Sequence, residues 1–294
     1  MLNNSLVTII IPTFNRCRVL KRAILSATGQ TYENIEILVI NDGSSDATPE
    51  IVNSIDDRRI KYFSNKESRG PAAARNTGIK NASGDFITFL EDDDEWLAEK
   101  ISKQLGIYQA AHTEVGLVFT NGFSEYENGY IIREKIDSGI IYNPEQDKFF
   151  PLRILISPPS SWMLPAIIVR KIGYFDESMY NWDDGDYLVR VAHNYPLYFL
   201  NENLLTWHAL QPHVNAISPN LIKGKEIFLR KNLEALKQDP EYLFRFYRTL
   251  GKDLLLSNKK RARSYLLKAL KMNPIDSSTI SKIIKTFLKD KADA

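Results

Sequence analysis

Five consecutive acidic residues, Glu91 to Glu95, stand directly after the apolar run FITFL and before Trp96. Like charges this close repel, and such runs normally belong to a solvated tail or a helix face. Here a strand-like run precedes them and a tryptophan follows, which argues for attachment to a packed core. Carboxylates at a strand end form a solvated run, a hard-metal site or an acid/base site. A divalent cation carried with phosphate ligands would relieve the repulsion, because Mg2+ and Mn2+ favour oxygen donors and often take only one or two protein carboxylates. A second acidic group lies in GYFDESMYNWDDGDYLVR, with Asp183, Asp184 and Asp186. A helix N-terminal cap is the alternative work for that group. Asp42, in NDGS, is placed either to meet a ligand or to make an Asx-type turn before Gly43.

The elements that must position these residues follow from periodicity. Leu6–Ile11 (LVTIII) and Ile35–Ile40 (IEILVI) are apolar, β-branched runs of the kind expected for strands buried on both faces. A helix follows Asn15, with apolar residues at Val19, Leu20, Ala23, Ile24 and Ala27. Ser45, Asp46 or Thr48 caps a second helix with Pro49 in its first turn. Ile60–Phe63 and Phe86–Leu90 read as further strands, the latter delivering the acidic run, with an Ala-rich helix between them. Val115–Thr120 continues the sheet, and a strand is expected near Ala166–Val169. Alternating strands and helices imply a doubly wound, mostly parallel α/β sheet flanked by helices. Ligands bind such sheets beyond the strand carboxyl ends, where Thr13–Asn15, Asn41–Ser44 and the acidic run all fall. Residues 124–162 are irregular, and from about Ile217 the chain reads as helices only. The expected division is an α/β domain over 1–216, in two halves that meet at 105/106, and a helical C-terminal region over 217–294.

The succession VTIIIPTFNR, ILVINDGSSDAT, SRGPAAARNTGI and GDFITFLEDDDEWL closely resembles glycosyltransferase family 2, whose members have the GT-A fold. The order and spacing of four separate motifs carry the resemblance over about the first hundred residues. It implies an inverting transferase of the bacterial surface-polysaccharide type, with a nucleotide-sugar donor (a UDP-sugar) and Mn2+ or Mg2+ as cofactor. By the same resemblance Pro12, Thr13 and Asn15 lie near the nucleotide base, Asp42 accepts a hydrogen bond from it, and Arg75 contacts the nucleotide. Asp92 holds the ribose or helps organise the metal, and Asp93 binds the cation that bridges the phosphates. Glu91 departs from the family's usual Asp. Asp184 is implied as general base, although the pair here is Asp-Asp rather than Glu-Asp, Gly185 replaces an aromatic residue and Asp186 competes for the role. His213 fits the family's metal–diphosphate histidine better than His208. Trp162 and Trp182 either stack on sugars or pack internally.

Composition bounds these expectations. With 294 residues, 44% hydrophobic and 25% charged, the chain has the makeup of a globular protein. One cysteine, Cys17, precludes an intrachain disulfide. No secretory leader pattern and no 18-residue apolar stretch is present, so the expected location is the cytoplasm, peripheral on the inner face of the membrane. The net charge of +2 indicates no nucleic-acid partner, but residues 251–294 hold 11 Lys/Arg against 4 Asp/Glu. That basic end is either a solvated helical face or a patch for anionic lipid, where a lipid-linked or other glycan acceptor would be presented. IIIPTFNR lacks the glycines of a pyrophosphorylase signature, and no GxGxxG follows the first strand, which argues against a dehydrogenase. A non-catalytic sugar-nucleotide or glycan-binding component of a membrane assembly complex is the alternative from a different class.

Overall fold

The computed structural model describes residues 4–126, 129–130, 137–147, 158–179, 181–208 and 219–287. They form two compact units. The first takes the described residues up to Asp147, with 158–178 and 183–208; the second takes 179, 181–182 and 219–287.

In the first unit, β1 (Val7–Thr13) and β2 (Ile35–Asn41) are buried along their whole length, as strands covered on both faces must be. They pair in parallel with each other, with β3 (Ile60–Ser64) and with β4 (Phe86–Phe89). The strand order in this part of the sheet is β3-β2-β1-β4, so chain order reverses between β1 and β4. α1 (Cys17–Thr28) buries Leu20, Ala23, Ile24 and Ala27 against Val7, Ile9 and Ile11. On the other face, α3 (Pro71–Asn81) buries Ala72, Ala73 and Ala74. Its Gly78 sits so close to β1 that an added Cβ would lie 2.4 Å from Ile10 Cγ2. α2 (Thr48–Asn53) closes the β2–β3 crossover with Pro49 in its first turn.

Pro12 explains the gap at the reversal point. The Ile10 carbonyl accepts from Leu90 N–H, 2.9 Å, and residues two apart on a strand face the same way. Pro12 therefore points its donor-less nitrogen to the side where β4 has already ended. The β1–β4 ladder ends there.

Beyond β4 the sheet is mixed. β9 (Trp162–Pro165) runs antiparallel between β4 and β6 (Leu117–Tyr126), and the long β10 (Leu197–His208) runs parallel to β6. Glu95–Trp96 form β5, antiparallel to Leu205–Thr206 of β10; they belong to a strand rather than to the start of the following helix, α4 (Lys100–Ala110). β7 (Gly129–Tyr130) and β8 (Gly139–Tyr142) attach to β6 and β10. The strand expected at Ala166–Val169 is instead α5 (Ala166–Ile172), entered through Pro165. The four-residue apolar run Ala166–Val169 carries no periodicity able to separate the two. α6 (Asp183–Ala192) packs beyond it. Trp162 is fully buried.

The second unit holds α7 (Pro219–Lys237), α8 (Pro240–Asp253), α9 (Lys259–Met272) and α10 (Ser277–Lys285). The side chains of Asp239, Asn258 and Asp276 cap the last three. Trp182 packs here, with its ring centroid 5.1 Å from that of Phe228 and 5.3 Å from that of Phe246. Among the described residues no helix is long and apolar enough to cross a membrane.

Replacing Gly78 by Ala drives a methyl group into Ile10, a stiff β-branched side chain in a closed core. A loss of about 1–3 kcal/mol is expected from overpacking, read as a lowered urea midpoint. An unchanged midpoint would show that α3 rides freely on the sheet.

Candidate active site

The carboxyl ends of β1, β2 and β4 meet at one edge, and short polar contacts lock the loops leaving them. Asn15 adopts a left-handed backbone, φ 53°, which asparagine tolerates better than most residues. Its N–H donates to Ser44 Oγ, 2.8 Å, and its Oδ1 accepts from Ser45 N–H, 2.9 Å. Asp46 accepts from Cys17 N–H at the start of α1 and from Thr48 at the start of α2. Asp42 is 2% exposed. Its carboxylate accepts from Asn65 Nδ2, Ser68 Oγ and the N–H groups of Arg69 and Gly70, all within 2.9 Å. It thereby gathers the β3–α3 loop against Gly43, whose φ of 80° and close approach to the Glu67 backbone leave no room for a side chain. Asp42 thus holds the turn at the carboxyl end of β2.

Each member of the acidic run has its own counterpart. Arg75 Nη2 donates to Glu91 Oε1, 2.6 Å. Arg16 Nη1 reaches both Asp92 Oδ1, 3.1 Å, and Asp93 Oδ2, 2.6 Å. Arg22 Nη2 donates to the Asp93 carbonyl, 2.8 Å. Ser160 Oγ donates to Asp94 and accepts from Glu91 N–H, 3.0 Å, while the Ser160 carbonyl accepts from Trp96 Nε1–H, 2.8 Å. His208 Nε2 lies 3.2 Å from Glu95 Oε2. Burial pushes the Asp92 carboxyl up to about 6 even though Arg16 opposes the shift. Burial raises Asp94 well above the usual carboxylate range, against the Ser160 hydrogen bond. Proton uptake and arginine pairing together make five adjacent acids tolerable. The buried Thr13 hydroxyl has no well-aligned hydrogen-bond partner among the described residues, yet lies near enough to Asp92 to favour its charged form.

Behind the run, Trp96 stacks under Lys100, whose Nζ sits 4.0 Å from the ring centroid and donates to Gln104 Oε1. Burial lowers the Lys100 ammonium well below its usual value.

The second acidic group opens α6. Arg75 Nη1 donates to Asp183 Oδ2, 2.6 Å, so one buried guanidinium ties the β4 end to the start of α6. Burial works against the charge of Arg75, but Glu91 and Asp183 outweigh it and push its pKa up. Burial raises Asp183 to about 6 against that same arginine. Asp186 pairs with Arg190, 3.0 Å. Asp184 is partly exposed and, among the described residues, makes no ion pair; its Oδ1 accepts from Gly185 N–H, 2.7 Å. Burial raises its pKa, opposed by Arg75.

Among the described residues no three His, Cys, Asp or Glu side chains gather as a metal cage. The donor set fits a hard cation held jointly by Asp93 and phosphate oxygens, which needs only one or two protein carboxylates. His213 lies outside the described residues. Sequence reasoning named Pro12, Thr13, Asn15, Asp42, Arg75, Asp92, Asp93 and Asp184 as candidates, and it did not name Arg16, Arg22 or Ser160, which contact the acidic run. Nothing local to TFNR or PPSS announces contacts some 70 residues away.

The profile of Glycosyl transferase family 2 matches residues 8–173. The chain is 36% identical over 208 residues to an uncharacterised glycosyltransferase of Rickettsia typhi, covering 68% of this chain and 63% of that one. It is 36% identical over 141 residues to the UDP-Glc:alpha-D-GlcNAc-diphosphoundecaprenol beta-1,3-glucosyltransferase WfaP of Escherichia coli, 48% of this chain and 53% of that one. These matches span between about half and two thirds of the relatives' own length. Staphylococcus aureus TarS 1–349, solved in complex with UDP-GlcNAc, superposes with a TM-score of 0.73 over 96% of this chain and 89% of that one, at 16% identity. That likeness establishes the fold.

Asp92 and Asp183, at about 6, lie above their unfolded values near 4, so the folded state binds more protons than the unfolded one. The stability they contribute is full in acid and is lost as pH rises from about 4 through 6. Arg75→Met leaves the buried Asp183 and the partly exposed Glu91 without their cation and raises Asp183 further. The expected loss is about 3 kcal/mol or more at pH 8 and distinctly less at pH 5, by denaturant unfolding at both values. Equal losses would show that Arg75 stabilises by packing alone.

Proposed function

The chain belongs to glycosyltransferase family 2, and we propose that it transfers a sugar, with inversion, from a UDP-sugar to a hydroxyl of a lipid-linked glycan. The observation that carries this reading is Arg75, which ties the acidic run at the β4 end to the acidic start of α6. A donor-side group and a base-side group thereby share one edge of the sheet. WfaP, a relative by sequence, is described as acting on a UDP-sugar and a diphosphoundecaprenol acceptor, which supports the same pairing here.

In this reading Pro12, Thr13, Asn15 and Asp42 border the uracil, Asp92 meets the ribose and Arg75 lies against the nucleotide. Asp184 accepts the proton of the acceptor hydroxyl. The freed oxygen attacks the anomeric carbon as the bond to the diphosphate oxygen breaks, which inverts that carbon. A carboxylate whose pKa is raised by burial is better matched to this work near neutral pH than an ordinary surface Asp. Asp183 and Asp186 are committed to Arg75 and Arg190, which leaves Asp184 available. Asp93 and His213 would hold Mn2+ or Mg2+. Bound there, the cation supplies positive charge to the departing nucleoside diphosphate.

The expected location is the cytoplasmic face of the membrane, and the second unit carries the features that suit it. Arg248, Lys252, Lys282 and Lys285 crowd together, so that burial, then Arg248, hold the Lys282 ammonium below its usual value. On α10 and just beyond it, Ile280, Ile284 and Phe287 are exposed at helical spacing. Cations beside an apolar stripe match an anionic lipid surface.

Asp184→Asn is expected to lower sugar transfer by about 100-fold or more while leaving UDP affinity within a small factor. Asp93→Ala, or EDTA on the intact protein, is expected to weaken UDP binding. Full transfer by Asp184→Asn would move the base elsewhere, and UDP binding with no sugar release by the intact protein would identify a binding component instead.

With phosphatidylglycerol vesicles, co-sedimentation of the full chain is expected to fall roughly threefold or more in an Ile280→Glu/Ile284→Glu variant. Equal sedimentation would reject the membrane face.

A further inference from the structure

Arg16 is a cation of the acidic run that no local sequence pattern pairs with it. It is the residue immediately before α1 and follows the left-handed Asn15, whose clamps to Ser44 and Ser45 fix the direction in which the chain enters the helix. From there a single nitrogen, Nη1, spans Asp92 and Asp93. The parallel two-bond fork that makes arginine–carboxylate pairs strong is not formed on either acid. The Arg16 side chain is 44% exposed, whereas those of Asp92 and Asp93 are 6% and 21% exposed. Arg16 is therefore a half-solvated charge, held through one nitrogen, on a largely buried pair. Arg75, buried and doubly paired, is the opposite case.

Asp93 is also the carboxylate to which the proposed function gives the donor's cation, and the inference rests on that reading. A guanidinium and a divalent cation bound to the same carboxylate oxygen repel each other. The cation arrives with a diphosphate, whose oxygens match the vacated guanidinium in charge and fork geometry.

We propose that Arg16 holds the place of the donor's cation on Asp92–Asp93 in the donor-free protein and passes to the diphosphate when the donor binds. It would then act as a contact that selects nucleoside diphosphates over monophosphates. Two consequences of opposite sign follow. Removing the guanidinium opens Asp93 to a free divalent cation, and it removes a contact to the diphosphate.

The test is Arg16→Gln, with Arg16→Lys as the charge-retaining control, measured by calorimetry with Mn2+ alone, UDP with Mn2+, and UMP. Arg16→Gln is expected to bind Mn2+ alone about fivefold more tightly than the parent, the scale of one partly exposed charge contact. It is expected to bind UDP about tenfold or more weakly, the scale of a charge-assisted hydrogen bond, with UMP affinity changed less than about twofold. Arg16→Lys should fall between on both readouts. A merely structural role would weaken all three ligands together, and that result overturns the proposal, as does UDP affinity equal to the parent's. If the parent itself fails to bind UDP, or binds it equally with EDTA, the donor and metal assignments fail, and the proposal fails with them; parent binding that depends on metal with an unchanged Arg16→Gln sinks the Arg16 role alone.

Discussion

Five carboxylates in sequence at the end of a buried strand set the constraint that the rest of the first unit answers. The acids find partners in four parts of the chain: Glu91 in α3, Asp92 and Asp93 together in the turn into α1, Asp94 in the turn before β9, and Glu95 in β10. Where no cation is available, the acid takes up a proton more readily, as burial dictates for Asp94. Packing elements around such a run stabilises them only because the charges are individually met; a missing partner would leave a buried charge that costs several kcal/mol. The α1, α3, β9 and β10 positions are in this sense tied to the chemistry at the β4 end.

The sheet supplies the geometry that makes this economical. Parallel β3-β2-β1-β4 delivers four loop starts to one edge, and Pro12 follows the end of the β1–β4 ladder just where the order reverses. The opposite edge shows what a purely structural polar cluster looks like. There Glu36 is fully engaged by Thr8, Lys61 and Ser83 N–H; burial opposes its ionisation, yet these bonds keep its pKa below the usual carboxylate value. The contrast lies in completeness. Glu36 has every oxygen satisfied, whereas Asp93 shares one nitrogen of a half-solvated arginine and Asp184 forms no ion pair among the described residues.

Arg75 links the two acidic groups, and its place in the core shows how family resemblance and physics complement each other. The resemblance implied a nucleotide contact from an Ala-rich helix; the structure shows the same side chain stacked 5.4 Å from the Phe175 ring centroid and split between Glu91 and Asp183. Small alanines around it are what allow α3 to approach β1 closely enough for a long side chain to reach both.

By itself the sequence determined the parallel half of the fold, through apolar strand runs, capped helices and loop residues that punctuate them. It also determined which acids gather at the strand ends, because the strand register places 42 and 91–95 at the same edge of any doubly wound sheet. It did not determine the antiparallel strands, the helical choice at Ala166–Ile172 or the strand at Glu95–Trp96, since short segments without a period follow their neighbours rather than their own preference. Nor did it assign the partners of each acid. Those depend on which side chains converge across some 70 to 110 residues of chain, as Arg16 does with Asp92, Ser160 with Asp94 and Arg75 with Asp183. Only the folded sheet brings them within 3.1 Å, and at that range charge, burial and hydrogen bonding decide which carboxylate stays ionised and which is left to act.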